Sequence, residues 1–205
     1  AWLGWRRGDR TEAFWSLVVL VPRALPAFWI GMLVISLFAY WLEWFPIGGM
    51  RTPAFYPESW IEALPGYDLA RHLALPVLAA AIYFVADPLM IMRSSMLDVR
   101  EDDFVTYARA RGLSEGAVRR LVRRNALLPV VSYIGVMIGF AFGGQVLLEY
   151  VFSWPGIGRM MIAAVTERDY PLAQASFLLM AVIVIVVNFV ADLISLRLDP
   201  RLSHE

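Results

Sequence analysis

Two charged residues interrupt otherwise apolar runs: Arg23, between Pro22 and Ala24, and Asp87, immediately before Pro88. A charge inside a hydrocarbon core is costly unless it is paired, so each marks either a structural ion pair or a contact for a passing solute. Arg23 and Asp87 are plausible partners for one another. Asn188 and Asp192 share a helix face at i, i+4, and Asp192 is expected to pair with Arg197 at the end of its run. His72 and His204 are the only histidines, and there is no cysteine. Disulfides, thiolate metal sites and thiol nucleophiles are thereby excluded, and no metal site is expected. His72 stands alone between polar and apolar sequence and is expected to be solvated. The chain has no phosphate-binding Gly-x-x-x-x-Gly-Lys, no Gly-x-Ser-x-Gly, no His-Glu-x-x-His and no acid pair set up for general acid–base work. The sequence therefore predicts neither an enzyme nor a bound cofactor.

The densest chemistry is electrostatic. Between Arg109 and Arg124 the chain carries Arg109, Arg111, Arg119, Arg120, Arg123 and Arg124 against one acid, Glu115. The same stretch has helix punctuation. Residues 106–111 hold no breaker, Gly112 suits the position just past a helix end, and Ser114 can cap a second helix that runs into apolar sequence at Ala126. A short basic helical elbow is predicted, with Asp103, Thr106, Tyr107, Ala108, Ala110, Gly112, Leu113 and Ser114 as its candidate contact residues. On a chain this apolar the arginines reflect topology, and nucleic acid is not an expected partner.

The composition fixes the solvent. Apolar residues make up 60% of the chain, only 18% is charged, and mean hydropathy is +0.61. A soluble domain is typically about 25% charged, so the chain belongs in a lipid bilayer. Four stretches approach the roughly 20 apolar residues that a span needs: about 13–42, 73–92, 126–148 and 171–195. The first contains Pro22 and Pro26, which predict a kink or an interfacial helix before the span. None alternates with period two, so the predicted fold class is an all-α membrane protein, a polytopic helical bundle. Residues 1–205 read as one transmembrane domain. Loops that share one side (6–12, 93–124 and 197–205) hold thirteen arginines, against four in the loops of the other side. The positive-inside rule therefore puts residues 93–125 and the C-terminus in the cytoplasm. The N-terminus, with Trp2 and Trp5 ahead of Arg6 and Arg7, reads as the tail of a further span.

The outer loops are less alike. The first, 43–71, is rich in proline and glycine and reads as an irregular cap. In the second, Trp154, Pro155, Gly156 and Gly158 form a turn at the outer surface, residues 159–165 read as a short helix, and Asp169 is placed to cap the last span. Gly135, Gly139 and Gly143 recur every four residues in the third span. Such a stripe lets another helix approach closely.

Taken in order, several motifs resemble a known family. Tyr107-Ala-Arg-Ala-Arg-Gly-Leu-Ser114 followed by Arg123-Arg-Asn-Ala-Leu-Leu-Pro129 resembles the cytoplasmic "EAA" loop of binding-protein-dependent ABC importer permeases, in the dipeptide/oligopeptide/nickel branch. Leu25-Pro-Ala-Phe-Trp-Ile-Gly31, Arg93-Ser-Ser-Met-Leu-Asp-Val99, Glu149-Tyr-Val-Phe-Ser-Trp-Pro-Gly-Ile-Gly-Arg159, Asp169-Tyr-Pro171 and Leu198-Asp-Pro-Arg201 agree in the same order. The family often has a His where this chain has Leu121 and its eponymous Glu near Thr106.

The resemblance implies a type I importer permease in a cytoplasmic (inner) membrane, with two spans that precede this sequence. It implies a second permease subunit, commonly in a heterodimer, two ATP-binding subunits that carry out the hydrolysis, and an extracytoplasmic binding protein that delivers a peptide or similar solute. Residues 103–112 would be the coupling helix that docks on an ATP-binding subunit. The competing reading is an ATP-independent secondary transporter or channel. That class should show inverted repeats and several embedded charges, whereas only Asp87 and Arg23 qualify here.

Overall fold

The computed structural model describes residues 10–53, 66–143 and 145–198, with backbone alone at 135, 136, 138–143, 191, 192 and 194–198. Among the described residues every regular element is helical: α1 (Arg10–Arg23), α2 (Ala27–Val34) passing into a π-helical stretch (Ile35–Trp41), α3 (Tyr67–Phe84), α4 (Ala86–Arg100), α5 (Asp103–Ala110), α6 (Glu115–Ala126), α7 (Leu128–Gly143), α8 (Val146–Val151), α9 (Ile157–Thr166) and α10 (Tyr170–Leu198).

Prolines set several of the breaks. Pro26 starts α2 with extended torsions, φ −61° and ψ 141°, and it disfavours helical geometry in the residue before it. Pro88 cannot donate to the carbonyl four residues back, so α3 and α4 meet at a turn at Val85, and the ladder resumes from the Leu89 N–H to the Val85 carbonyl at 3.3 Å. Among the described residues two helical stretches are long and apolar enough to cross a membrane: Tyr67–Arg100, of mean hydropathy 1.9, and Tyr170–Val190, of mean hydropathy 2.4. The pair Arg10–Arg23 and Ala27–Trp41 supplies a third if it is counted as one broken span. Where the sequence suggests one run over 126–148, α7 ends at Gly143 and α8 begins at Val146.

The chain divides into two compact units. The first comprises the described residues of Ala1–Val21, Phe84–Phe140 and Val186–Glu205. Its core joins Met92 and Met96 of α4, Val105 and Ala108 of α5, Val118, Val122 and Ala126 of α6, and Val130 of α7. The α6 residues recur at i, i+4, i+8, which is why one side of this helix is apolar while the other carries arginine. Val105, Val118 and Val122 are fully buried, and each such burial stabilises by roughly 1.5–3 kcal/mol. The elbow is thus clamped to α4 rather than hanging from it. The same unit holds a buried ion pair: Arg93 Nε and Nη2 both lie 2.6 Å from Glu12 Oε1, and Glu12 is only 6% exposed.

The second unit comprises the described residues of Pro22–Tyr83 and Ala141–Ile185. Phe152 is at its centre, packed with Ile30, Val34, Leu75, Ala79 and Leu148. Two glycines make room for it. A side chain on Gly31 would begin 3.1 Å from the Phe152 ring, and one on Gly48 would begin 2.6 Å from the Phe152 carbonyl oxygen. That same oxygen accepts the Gly49 N–H at 2.8 Å, which ties Gly49 to the end of α8.

Candidate functional site

The elbow is built by local rules. α5 begins after Asp102, and the Val105 N–H donates to the Asp102 carbonyl at 3.0 Å. It closes with the Leu113 N–H on the Ala108 carbonyl at 3.2 Å and the Gly112 N–H on the Arg109 carbonyl at 2.9 Å. Gly112 has φ +79°, the left-handed geometry that ends helices and favours glycine. Ser114 then caps α6, its Oγ accepting from the Ala117 N–H at 3.4 Å. Arg109 Nε donates to Glu115 Oε1 at 3.0 Å, an exposed bond between the two helices. Such a pair contributes about 0–1 kcal/mol, so the geometry rests on the core beneath and on the Gly112 turn.

The two faces of α5 differ. Val105 and Ala108 point into the core, while Phe104, Thr106, Tyr107 and Ala110 are exposed, followed by exposed Gly112, Leu113 and Ser114. Tyr107 is 71% exposed. Ala108, which the sequence groups with the contact residues, is 8% exposed and packs inward. It therefore positions the helix and does not line its outer surface. What remains is a short helix with a buried inner face and an outer face that exposes Phe104 and Tyr107.

Arg23 and Asp87 each meet a phenol within their own unit. Arg23 Nη1 donates to Tyr83 Oη at 2.6 Å, with the guanidinium 4.6 Å from the ring centroid. Asp87 Oδ2 accepts from Tyr133 Oη at 2.8 Å. Neither tyrosine stands out in the sequence, because the partners lie 60 and 46 residues away. Gly135, Gly139 and Gly143 all fall within α7, but the surroundings of this stripe lie outside the described residues. The same holds for Asp192 and Arg197.

The turn between α8 and α9 is organised by Glu149, to which the sequence gives no role beyond opening the Glu149–Arg159 motif. Its carboxylate stands at the start of α9, accepting the Arg159 N–H at 3.2 Å, where an acid also complements the helix dipole. A side chain on Gly156 would collide with that carboxylate, and one on Gly158 would begin 2.6 Å from the Val146 Cα. The Trp154 N–H donates to the Glu149 carbonyl at 2.8 Å, and Arg159 Nη1 donates to the Ser153 carbonyl at 2.6 Å. Trp154, Glu149, Gln145, Val77 and Pro76 line a cavity of about 210 Å³. The legible signal was an acid followed by a Gly-x-Gly turn into a helix. Beyond it, Asp169 Oδ1 accepts the Leu172 N–H at 3.1 Å and caps α10.

His72 corrects an expectation. It is 6% exposed rather than solvated, with Nδ1 3.0 Å from the Gly49 carbonyl and Nε2 3.1 Å from Thr52 Oγ1. Thr52 also donates to Asp68 through N–H (2.9 Å) and Oγ1 (2.8 Å). The cluster fastens residues 49–52 to α3. Among the described residues no group of three or more His, Asp or Glu is placed to hold a metal ion.

Comparison with known proteins fits this arrangement. Residues 1–204 match the family model described as "binding-protein-dependent transport system inner membrane component". A provisionally named peptide permease protein of Brucella ovis is 41% identical over 199 residues, which is 97% of this chain and 60% of that protein. The di/tripeptide transport system permease protein DppB of Pseudomonas aeruginosa is 37% identical over 98% of this chain and 63% of its own length. The oligopeptide transport system permease protein AppB of Bacillus subtilis is 38% identical over 88% of this chain and 55% of its own. The chain thus spans about three fifths of the length of the relatives it matches. It belongs to the family of inner membrane components of binding-protein-dependent transport systems.

Proposed function

We propose that this chain is the permease component of an ATP-driven importer of peptides, multi-pass in a cytoplasmic (inner) membrane with the α5–α6 elbow on the cytoplasmic side. It works beside a second permease subunit as a heterodimer, on two ATP-binding subunits that carry out the hydrolysis. An extracytoplasmic binding protein delivers the solute. The observation that carries the reading is α5: an eight-residue helix whose Val105 and Ala108 are locked into the core while Phe104, Tyr107 and Leu113 stand exposed. A groove in an ATP-binding subunit that grips those three side chains would move the helix and its core as one body. Trp154, Pro155, Gly156 and Gly158 belong to the opposite, outer gate, with α9 behind them. The peptide assignment draws on the names of the relatives.

Co-purification tests the reading. The intact permease, solubilised in mild detergent, should bring down an ATP-binding subunit, and peptide uptake into proteoliposomes should require ATP. Peptide uptake that runs without any ATP-binding subunit would establish the secondary-transporter reading instead.

A further inference from the structure

On α6 a second surface faces away from the core. Arg120, Arg123 and Arg124 are exposed, at spacings of three and four that place them on neighbouring positions of one helix face. Among the described residues none of the three has a carboxylate partner, and the only acid of α6, Glu115, is already bound by Arg109. Arg119, on the same side, is engaged elsewhere. Like charges at these spacings repel one another, and a bound anion would relieve that.

The location says what would. Leu127, which follows α6, keeps right-handed helical torsions (φ −78°, ψ −25°), and the Val131 N–H donates to its carbonyl at 3.0 Å. Helical bonding therefore continues into α7. Leu127 and Leu128 are exposed apolar residues, 46% and 41%, so Arg123 and Arg124 stand three to five residues before side chains that favour hydrocarbon. A headgroup layer is roughly 5–7 Å deep, and three to five residues of helix rise about 4.5–7.5 Å. The exposed face of α6 also lacks the aromatic anchors that α5 presents, and a face of charge without apolar centre is poorly suited to the core of a protein interface.

We propose that Arg120, Arg123 and Arg124 form a docking surface for the phosphates of anionic membrane lipids, with Leu127 and Leu128 dipping into the acyl region below. Guanidinium groups bind phosphate through paired N–H donors, and basic clusters beside a span gain affinity for anionic bilayers with each added charge. The proposal rests on the α6–α7 junction lying at the membrane surface, and not on how α5 engages an ATP-binding subunit.

Native mass spectrometry of the intact protein tests it, with phosphatidylglycerol and phosphatidylcholine as the probes. Wild type should retain phosphatidylglycerol in preference, and high salt should reduce that preference. The triple variant R120Q/R123Q/R124Q should lose phosphatidylglycerol retention about tenfold or more, with phosphatidylcholine unchanged, while R120K/R123K/R124K keeps most of it. Equal retention of the two lipids by wild type, or undiminished phosphatidylglycerol retention in a folded Gln variant, would overturn the proposal. Should the Gln variant fail to fold, the wild-type preference and its salt dependence decide. If Gln substitution instead abolishes co-purification of the ATP-binding subunit and leaves lipid retention intact, the arginines serve a protein partner and the lipid surface is refuted.

Discussion

Gly156 and Gly158 stand two residues apart in the outer hairpin, yet substitution should affect them differently. The clash at Gly156 is with the Glu149 carboxylate, the far end of a flexible side chain, whereas the clash at Gly158 is with the backbone of Val146. Gly156→Ala should therefore displace the cap and cost about 1 kcal/mol. Gly158→Ala should force α8 and α9 apart at about 2–3 kcal/mol. Thermal unfolding in detergent checks the order, and equal Tm losses would contradict it. The Glu12–Arg93 pair offers a second residue-scale test. Arg93→Met removes two N–H donors from a 6% exposed carboxylate and should cost about 3 kcal/mol. Arg93 has one side open to water, so Glu12→Gln should cost less. This pair and the His72–Thr52–Asp68 cluster were illegible in the sequence for one reason. Their partners are brought together by folding, 81 residues apart for Glu12 and Arg93 and 20 for His72 and Thr52, and composition around a lone His or Glu says nothing of what folds over it.

At the scale of elements, the elbow was the most legible part of the chain because its signals are local. Gly112 at the end of α5 and Ser114 at the start of α6 each act within a turn or two of themselves. The structure supplies what they could not, namely which side of α5 faces inward. Gly112→Val places a β-branched residue at φ +79° and should cost about 1–2 kcal/mol while redirecting α6. Gly112→Ala should fall between it and wild type, and a Gly112→Val variant with unchanged Tm would show that the turn accommodates another geometry. The reading of 126–148 as one run shows the opposite case. Hydropathy is continuous there, but α7 ends at Gly143 and a separate six-residue helix begins at Val146. An apolar average does not register the end of α7 at Gly143 or the start of α8 at Val146.

For the whole molecule, membrane residence follows from composition and from membership of an inner membrane family, while orientation rests on thirteen arginines against four. Cysteines introduced at Met50 and Arg111, both exposed, should label with impermeant reagents from opposite sides, Met50 from outside. Labelling of both from one side would reverse the arrangement. The most direct test of coupling through α5 compares three forms of the intact permease in proteoliposomes: wild type, Ala110→Glu on the exposed face and Ala108→Glu on the buried face. The measurement is peptide-stimulated ATP hydrolysis alongside the amount of ATP-binding subunit retained. Ala110→Glu should leave the permease folded and inserted while both readouts fall at least about tenfold, the loss expected when an interface anchor costs more than 1.4 kcal/mol. Ala108→Glu should instead lower Tm, because it buries a charge against Val118 and Val122. Wild-type hydrolysis and wild-type retention in folded Ala110→Glu would mean that the outer face of α5 touches nothing that matters to transport.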